Sequence, residues 1–239
     1  MPEVMDRKRS VFSLAMILKT LIFMALGALV IIFAVLVLMN AQRLGWTLGW
    51  IYVSIFATAM TINLLCLGLW NPELIKRRLS PGKWVKTWDK VWAVLFGLSM
   101  IGIFIVANIE ARDVVSSGPG TTWLFGFSIF VLGWTLAIWS MTVNPFFEKT
   151  VRIQTEHGHR VIDTGPYAYV RHPGYVGFLG WIISTPLLLA SVWAFIPTLT
   201  TVFLFMIRTA FEDRMLCDEL PGYTEYTNRV RFRLIPGLW

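Results

Sequence analysis

Charge is scarce in this chain. Only 15% of its 239 residues are Asp, Glu, Lys or Arg, against 56% that are hydrophobic. A soluble domain of this size carries about 25% charged residues, so the deficit excludes an ordinary water-soluble fold. Cysteine is nearly absent too. Cys66 falls in an apolar segment and Cys217 in the polar tail, so a disulfide framework and a cysteine metal module are both excluded. Neither G-x-G-x-x-G nor G-x-x-x-x-G-K-[ST] occurs, and nothing marks a Rossmann turn or a phosphate loop. His157, His159 and His172 are the only histidines; the i, i+2 spacing of the first two is not a standard ligand spacing, and no metal is expected. The first apolar run is too long for a signal-peptide core and lacks a clear small-residue cleavage site, so no cleavable signal is expected.

Long apolar runs are what the chain does have. A spanning helix needs about 20 apolar residues. Four segments qualify: 14–39, with Lys19 near its start, then 46–70, 91–109 and 123–143. Trp46, Trp70 and Trp123 sit at their ends, as an interfacial aromatic belt requires. A fifth run, 175–207, is interrupted by Pro186 and Pro197. As one helix it would be about 50 Å long, against a hydrocarbon core of about 30 Å.

The basic residues decide how that run is folded. Arg7, Lys8 and Arg9 precede the first span, and Lys76, Arg77, Arg78, Lys83, Lys86 and Lys90 follow the second. Lys149, Arg152, Arg160 and Arg171 follow the fourth, and Arg214, Arg229, Arg231 and Arg233 lie in the tail, with Arg208 at its border. The other two loops carry only Arg43 and Arg112. This alternation assigns the basic loops and both termini to the cytoplasm. It also accounts for the net charge of +7 without a nucleic-acid partner. Because the tail is basic, 175–207 must return to the side it left, as a hairpin turning near 190–193. The expected fold is an all-α integral membrane protein: four transmembrane helices, a C-terminal transmembrane hairpin and a cytoplasmic amphipathic tail helix. Residues 1–143 would supply the helices, and 144–239 the catalytic part. Asn-Pro stops the chain twice, in "LWNPELIKRRL" at 69–79 and "TVNPFFEKTVR" at 142–152.

Two short stretches carry the candidate chemistry. "TGPYAYVRHPGY" at 164–175 combines two prolines that fix φ, two glycines that permit close backbone approach, and three tyrosines at a membrane edge. By residue type alone it also fits an aromatic belt closed by a Pro-Gly turn. "RTAFEDRML" at 208–216 places Arg208 and Glu212 four apart, on one helical face, at the membrane border. The plain alternative there is a surface ion pair. An ionisable group at membrane depth is nevertheless a functional candidate by default.

Taken in order, "DTGPYAYVRHPGYVGF", the hairpin, the Arg-x-x-x-Glu-Asp element and "LPGYTEYTNRVRFRLIPGLW" resemble the isoprenylcysteine carboxyl methyltransferase family; related phospholipid methyltransferases share the Arg-His-Pro-x-Tyr and paired-acid pattern. The resemblance covers about residues 144–239 and implies S-adenosyl-L-methionine as cofactor, held without a Rossmann fold. It implies cofactor contacts at Gln154, Val161, Ile162, Asp163, Thr164, Tyr169, His172, Pro173, Gly174, Tyr175 and Glu212. The resemblance also implies a catalytic, acceptor-facing role for Arg208, and as acceptor a lipophilic carboxylate such as a prenylated cysteine, entering from the bilayer among membrane lipids. An aminophospholipid or a small thiol remains an alternative acceptor, and outside the enzymes a membrane scaffold or transporter. Many relatives have Glu-Glu where this chain has Glu212-Asp213, which opens the question of what Asp213 does.

Overall fold

The computed structural model describes residues 46–79, 85–111 and 119–239. The expected first span at 14–39, the basic N-terminus, Arg43, Lys83 and Arg112 lie outside the described residues. Within them the chain is all-helical. Helix α1 (Thr47–Trp70) is followed by α2 (Pro72–Leu79), α3 (Thr87–Glu110), α4 (Thr121–Val143), α5 (Pro173–Leu188), α6 (Phe195–Glu219) and α7 (Tyr223–Arg229). Four of these, α1, α3, α4 and α6, are long and apolar enough to cross a membrane. The spans expected at 46–70, 91–109 and 123–143 correspond to α1, α3 and α4.

Each Asn-Pro does more than stop a helix. Pro72 opens α2, a position where its missing N–H costs nothing. The Asn71 amide donates to the carbonyls of Met141 and Asn144, at 2.7 and 3.2 Å. Asn144 in turn bonds the Tyr167 hydroxyl at 3.1 Å and accepts the Phe146 N–H at 2.8 Å. The two stops therefore meet at one end of the bundle. Arg77 and Arg78 of α2 donate to the Pro145 and Phe147 carbonyls and lie over the Phe146 and Phe147 rings.

Helices α4 and α5 approach each other closely. A Cβ on Gly177 would stand 2.6 Å from both the Ala137 nitrogen and the Gly133 oxygen. Without a hydrophobic drive between helices in lipid, such small-residue seams let backbones pack by dispersion.

A short connection, 189–194, joins α5 to α6, with Ala190 at φ 51°. Glu110, at the end of α3, holds this turn. Its carboxylate accepts the Ser191 hydroxyl at 2.5 Å and the Val192 and Trp193 N–H groups at 3.2 and 3.1 Å. An acid there also complements the positive end of α6. Helix α6 is about 37 Å long at 1.5 Å per residue, more than a bilayer core requires. It runs unbroken to Glu219, so Arg208 and Glu212 lie within the second helix of the pair, not on a separate tail helix. The short α7 comes after Gly222, whose φ of 81° ends the preceding turn.

Candidate functional site

The cleft lies where the 144–175 segment, the C-terminal half of α6 and the tail converge. Its walls include Phe146, Phe147, Val161, Ile162, Tyr167, His172, Tyr175, Arg208, Glu212, Leu216, Tyr223 and Tyr226. About 770 Å³ of free space lies within it, open solvent at the mouth included.

The 144–162 wall is stiffened from within. Arg152 is gripped by Glu148 through two bonds of 2.9 Å and reaches Glu156 at 2.6 Å. The Glu148 carboxylate holds the Arg152 guanidinium above its usual pKa, against the effect of burial. His159 lies against Phe146, the rings tilted by 31° with centres 4.5 Å apart, and its Nδ1 accepts the Gln154 N–H at 3.3 Å. Burial, reinforced by the cations of Arg152 and Arg77, pushes His159 down to about 4. The ring is neutral at physiological pH.

The 164–175 loop is held by its neighbours on two sides. Gly165, at φ 59°, opens a single 3-10 turn, and a side chain there would meet Val143 and Trp139. A Cβ on Gly174 would run into the Phe147 ring. The close approach that both glycines permit is thus to protein. At the loop's far end Arg171 and His172 donate their backbone N–H groups to Phe232 and Arg233 of the tail, each at 2.9 Å.

Asp213 is the anchor of this arrangement. Its buried carboxylate takes two bonds from Arg171, at 2.7 and 2.8 Å, and one each from Tyr223 at 2.9 Å and Arg233 at 2.8 Å. His172 Nε2 lies 3.2 Å away. The shorter acid fits where four partners converge. Burial lowers the Arg171 pKa, but the Asp213 carboxylate outweighs it and holds the group above its ordinary value. Burial and the same carboxylate push the Tyr223 hydroxyl well up.

Arg208 is buried differently from a surface ion pair. Its guanidinium lies 4.0 Å above Trp92 and 5.4 Å from the Tyr175 ring centre, and donates to the Lys149 carbonyl at 2.9 Å. Its carboxylate partner is Asp89, at 3.0 Å, near the start of α3. Glu212 instead accepts the Tyr175 hydroxyl in a very short hydrogen bond.

Of the expected site residues, the cleft is lined by Val161, Ile162, His172, Tyr175, Arg208 and Glu212. Pro173 and Gly174 begin α5 behind it. Asp163 pairs with the exposed Arg229 at 2.9 Å. Thr164 caps the 3-10 turn, and Tyr169 is 71% exposed. Gln154 is buried, and its amide donates to the Phe146 carbonyl at 2.8 Å. Its Oε1 has no hydrogen-bond partner among the described residues, although Phe146 and His159 beside it both line the cleft. Asp89 lies outside the sequence motifs, whereas Tyr167 and Arg171 stand within the 164–175 motif and Tyr223 and Tyr226 within the tail element, none of them with an implied cofactor contact. An acid two residues outside an apolar run, on the same side as Arg208, was the available signal for Asp89.

Comparison with known proteins places this geometry among relatives. Residues 125–218 match the model of the isoprenylcysteine carboxyl methyltransferase (ICMT) family. The protein-S-isoprenylcysteine O-methyltransferase of Saccharomyces cerevisiae is 32% identical over 115 residues, 45% of this chain and 46% of that protein. The human protein of the same name is 31% identical over 114 residues, 46% of this chain and 40% of its own length. The chain thus spans about half the length of the curated relatives it matches. A solved structure of the eukaryotic intramembrane Ras methyltransferase ICMT superposes with a TM-score of 0.58 at 23% identity, covering 86% of this chain and 73% of that one. The fold is that of an integral membrane protein.

Proposed function

We propose that this chain is an S-adenosylmethionine-dependent membrane methyltransferase that esterifies the carboxylate of a prenylated cysteine or a similar lipophilic acid. One observation carries the reading. A buried guanidinium, Arg208, and a carboxylate, Glu212, line the same cleft one helical turn apart and are bridged by Tyr175. The family match and the relatives' names support the same chemistry.

The residues present fit the cofactor. S-adenosylmethionine, when bound, supplies an electrophilic methyl group on a cationic sulfur. Glu212 offsets positive charge in the cleft, and the faces of Tyr167, Tyr175, Tyr223 and Tyr226 offer flat walls with polar edges. The buried, unpartnered Oε1 of Gln154 is an acceptor suited to an amino group such as that of a purine. Stiff turns hold these groups at low entropic cost on binding.

Arg208 would dock the acceptor. Its planar fork suits a carboxylate, and it stays charged at any working pH. A carboxylate is already ionised near neutrality, so no general base is required. His172 faces Asp213, and Asp213 is consumed by Arg171, Tyr223 and Arg233. An amine acceptor would need a base, and of His172, Asp213 and Glu212 that leaves Glu212, which accepts the Tyr175 hydroxyl and lines the cleft. The protein's task is then alignment, holding the acceptor oxygen at about 3–3.5 Å from the carbon it attacks. Arg208 belongs to a helix apolar enough to span a membrane, so a docked carboxylate sits at the membrane edge with its lipid tail in the bilayer. The Lys/Arg alternation puts this edge on the cytoplasmic side; a cysteine introduced at exposed Thr224 should label from the cytoplasm, and labelling only from outside would reverse the topology.

The deciding experiment incubates the purified protein in lipid with radiolabelled S-adenosylmethionine and three acceptors: a farnesylcysteine, an aminophospholipid and a small thiol. Base-labile label on the farnesylcysteine supports the reading. Label on the phospholipid amine or the thiol alone overturns it in favour of those acceptors.

A further inference from the structure

The Arg208 guanidinium is too deeply enclosed to be aimed by its own helix alone, and the geometry points to Asp89 as the positioning residue that holds it for the acceptor, an inference that rests on the docking role given to Arg208 above. The side chains are 3% exposed for Asp89 and 7% for Arg208. Asp89 Oδ1 and Arg208 Nε face each other at 3.0 Å, with the N–H not aligned for a hydrogen bond. Neither atom has any hydrogen-bond partner among the described residues. A buried charge without a counter-charge is strongly disfavoured, so each group fixes the other. The second Asp89 oxygen accepts the Val151 N–H at 2.8 Å, which ties the same carboxylate to the cleft wall. Asp89 therefore joins three elements: its own helix α3, the 144–152 wall and the catalytic part of α6.

The remaining contacts complete the cradle. Trp92, one turn along from Asp89, lies under the guanidinium, and its indole N–H donates to the Leu204 carbonyl of α6 at 2.8 Å. The Lys149 carbonyl takes one N–H of the terminal NH2 nitrogen. With Asp89 facing Nε and the Lys149 carbonyl taking one N–H of a terminal nitrogen, protein groups fix two of the three guanidinium nitrogens. Asp89 is not among the cleft-lining residues, so it acts through Arg208. Functional groups held by such supporting contacts keep the tight geometry that catalysis needs.

Asp89→Asn keeps an acceptor for the Val151 N–H and removes only the charge. The test uses the full chain in lipid nanodiscs. In Asp89→Asn, S-adenosylhomocysteine should bind within about threefold of wild type, while kcat for farnesylcysteine methylation falls by at least about 30-fold. In an Arg208→Ala background the same change should cost less than about twofold, because the residue through which it acts is gone. Asp89→Glu, which restores the charge, should recover part of the loss. In protein labelled with 15N-arginine, the Nε–H resonance assigned to Arg208 should shift or broaden in Asp89→Asn. Near-normal turnover in Asp89→Asn overturns the inference, as does an undiminished loss in the Arg208→Ala background or a cofactor affinity that falls as far as turnover. If wild type methylates none of the acceptors, the functional reading fails by itself. The arginine resonance then decides, and an unmoved signal rejects Asp89 as the group that positions Arg208.

Discussion

Arg171 and Asp213 meet as a parallel fork, Nε to Oδ1 at 2.7 Å and the terminal nitrogen to Oδ2 at 2.8 Å, across 42 residues of sequence. Arg171 precedes α5 and Asp213 sits in the last two turns of α6. This contact shows that the two helices run antiparallel and return the chain to the same end of the bundle. Arg233 and Tyr223 bind the same carboxylate, so the tail is fastened there as well. Asp213→Asn would leave the buried Arg171, and the partly exposed Arg233 beside it, without a counter-charge. Breaking one side of such a pair costs about 3–5 kcal/mol. Thermal unfolding in detergent should show a large drop in Tm for Asp213→Asn and for Arg171→Ala, with the double variant close to either single one. Additive losses would mean that the two residues do not act as a pair.

The α4–α5 seam makes a separate prediction. Gly177→Ala places a methyl group against the Ala137 nitrogen and the Gly133 oxygen, both backbone atoms that cannot swing away. Overpacking of this kind costs about 1–3 kcal/mol. Gly97→Ala on α3 meets nothing within 4 Å among the described residues and serves as the control. Gly177→Ala should lower Tm while Gly97→Ala leaves it level or raises it. Equal behaviour of the two would show that the seam is not close-packed.

His159 makes stability depend on pH. Its pKa is about 4 in the folded chain, lowered mainly by burial, against an ordinary value of 6.5. Between those values the unfolded chain binds the extra proton, so stability rises with pH there. The contribution is fully present above about 6.5 and is lost as pH falls towards about 4. His159→Gln should flatten this part of the stability profile while leaving the region above pH 7 little changed. An identical slope in the variant would assign the acid sensitivity to another group.

Hydropathy and charge made most of the helical plan legible. The apolar windows at 46–70, 91–109 and 123–143 correspond to α1, α3 and α4, because a spanning segment must be apolar along its whole length. The start of α3 was less visible. Thr87, Trp88, Asp89 and Lys90 look like loop, yet they form its first turn, because Asp89 is buried by pairing with a residue 119 positions away. The same long-range pairing gives Arg208 Asp89, and not Glu212, as its carboxylate partner. Helical spacing identifies neighbours on one face but does not choose among carboxylates brought in by other helices. Within the loop motif, the residue types were legible and their partners were not. Gly174 looks like space for a ligand and is space for Phe147. The Glu-to-Asp departure at 213 becomes intelligible only once four converging partners are seen.

The sharpest consequence concerns Arg208 and Glu212, which share a helix face but touch different partners. Tyr175 stands between them, its hydroxyl on Glu212 and its ring beside the Arg208 guanidinium. Glu212 lines the cleft as a carboxylate and accepts hydrogen bonds, so Glu212→Ala should weaken S-adenosylhomocysteine binding by about 1.5–3 kcal/mol, the worth of a charge-assisted hydrogen bond. If Arg208 docks the acceptor as proposed, Arg208→Ala should leave that affinity within a few-fold and instead remove turnover by orders of magnitude. Arg208→Lys should remain poor, since an ammonium does not reproduce a planar pair of donors between Asp89 and Trp92. Tyr175→Phe discriminates further. It keeps the ring beside Arg208 and removes the hydroxyl bond, so it should shift cofactor affinity in the direction of Glu212→Ala while retaining more turnover than Arg208→Ala. Calorimetric Kd values and initial rates for the four variants decide the matter. If Arg208→Ala loses cofactor binding as badly as Glu212→Ala, the two residues shape one pocket together and the separate docking role of Arg208 fails.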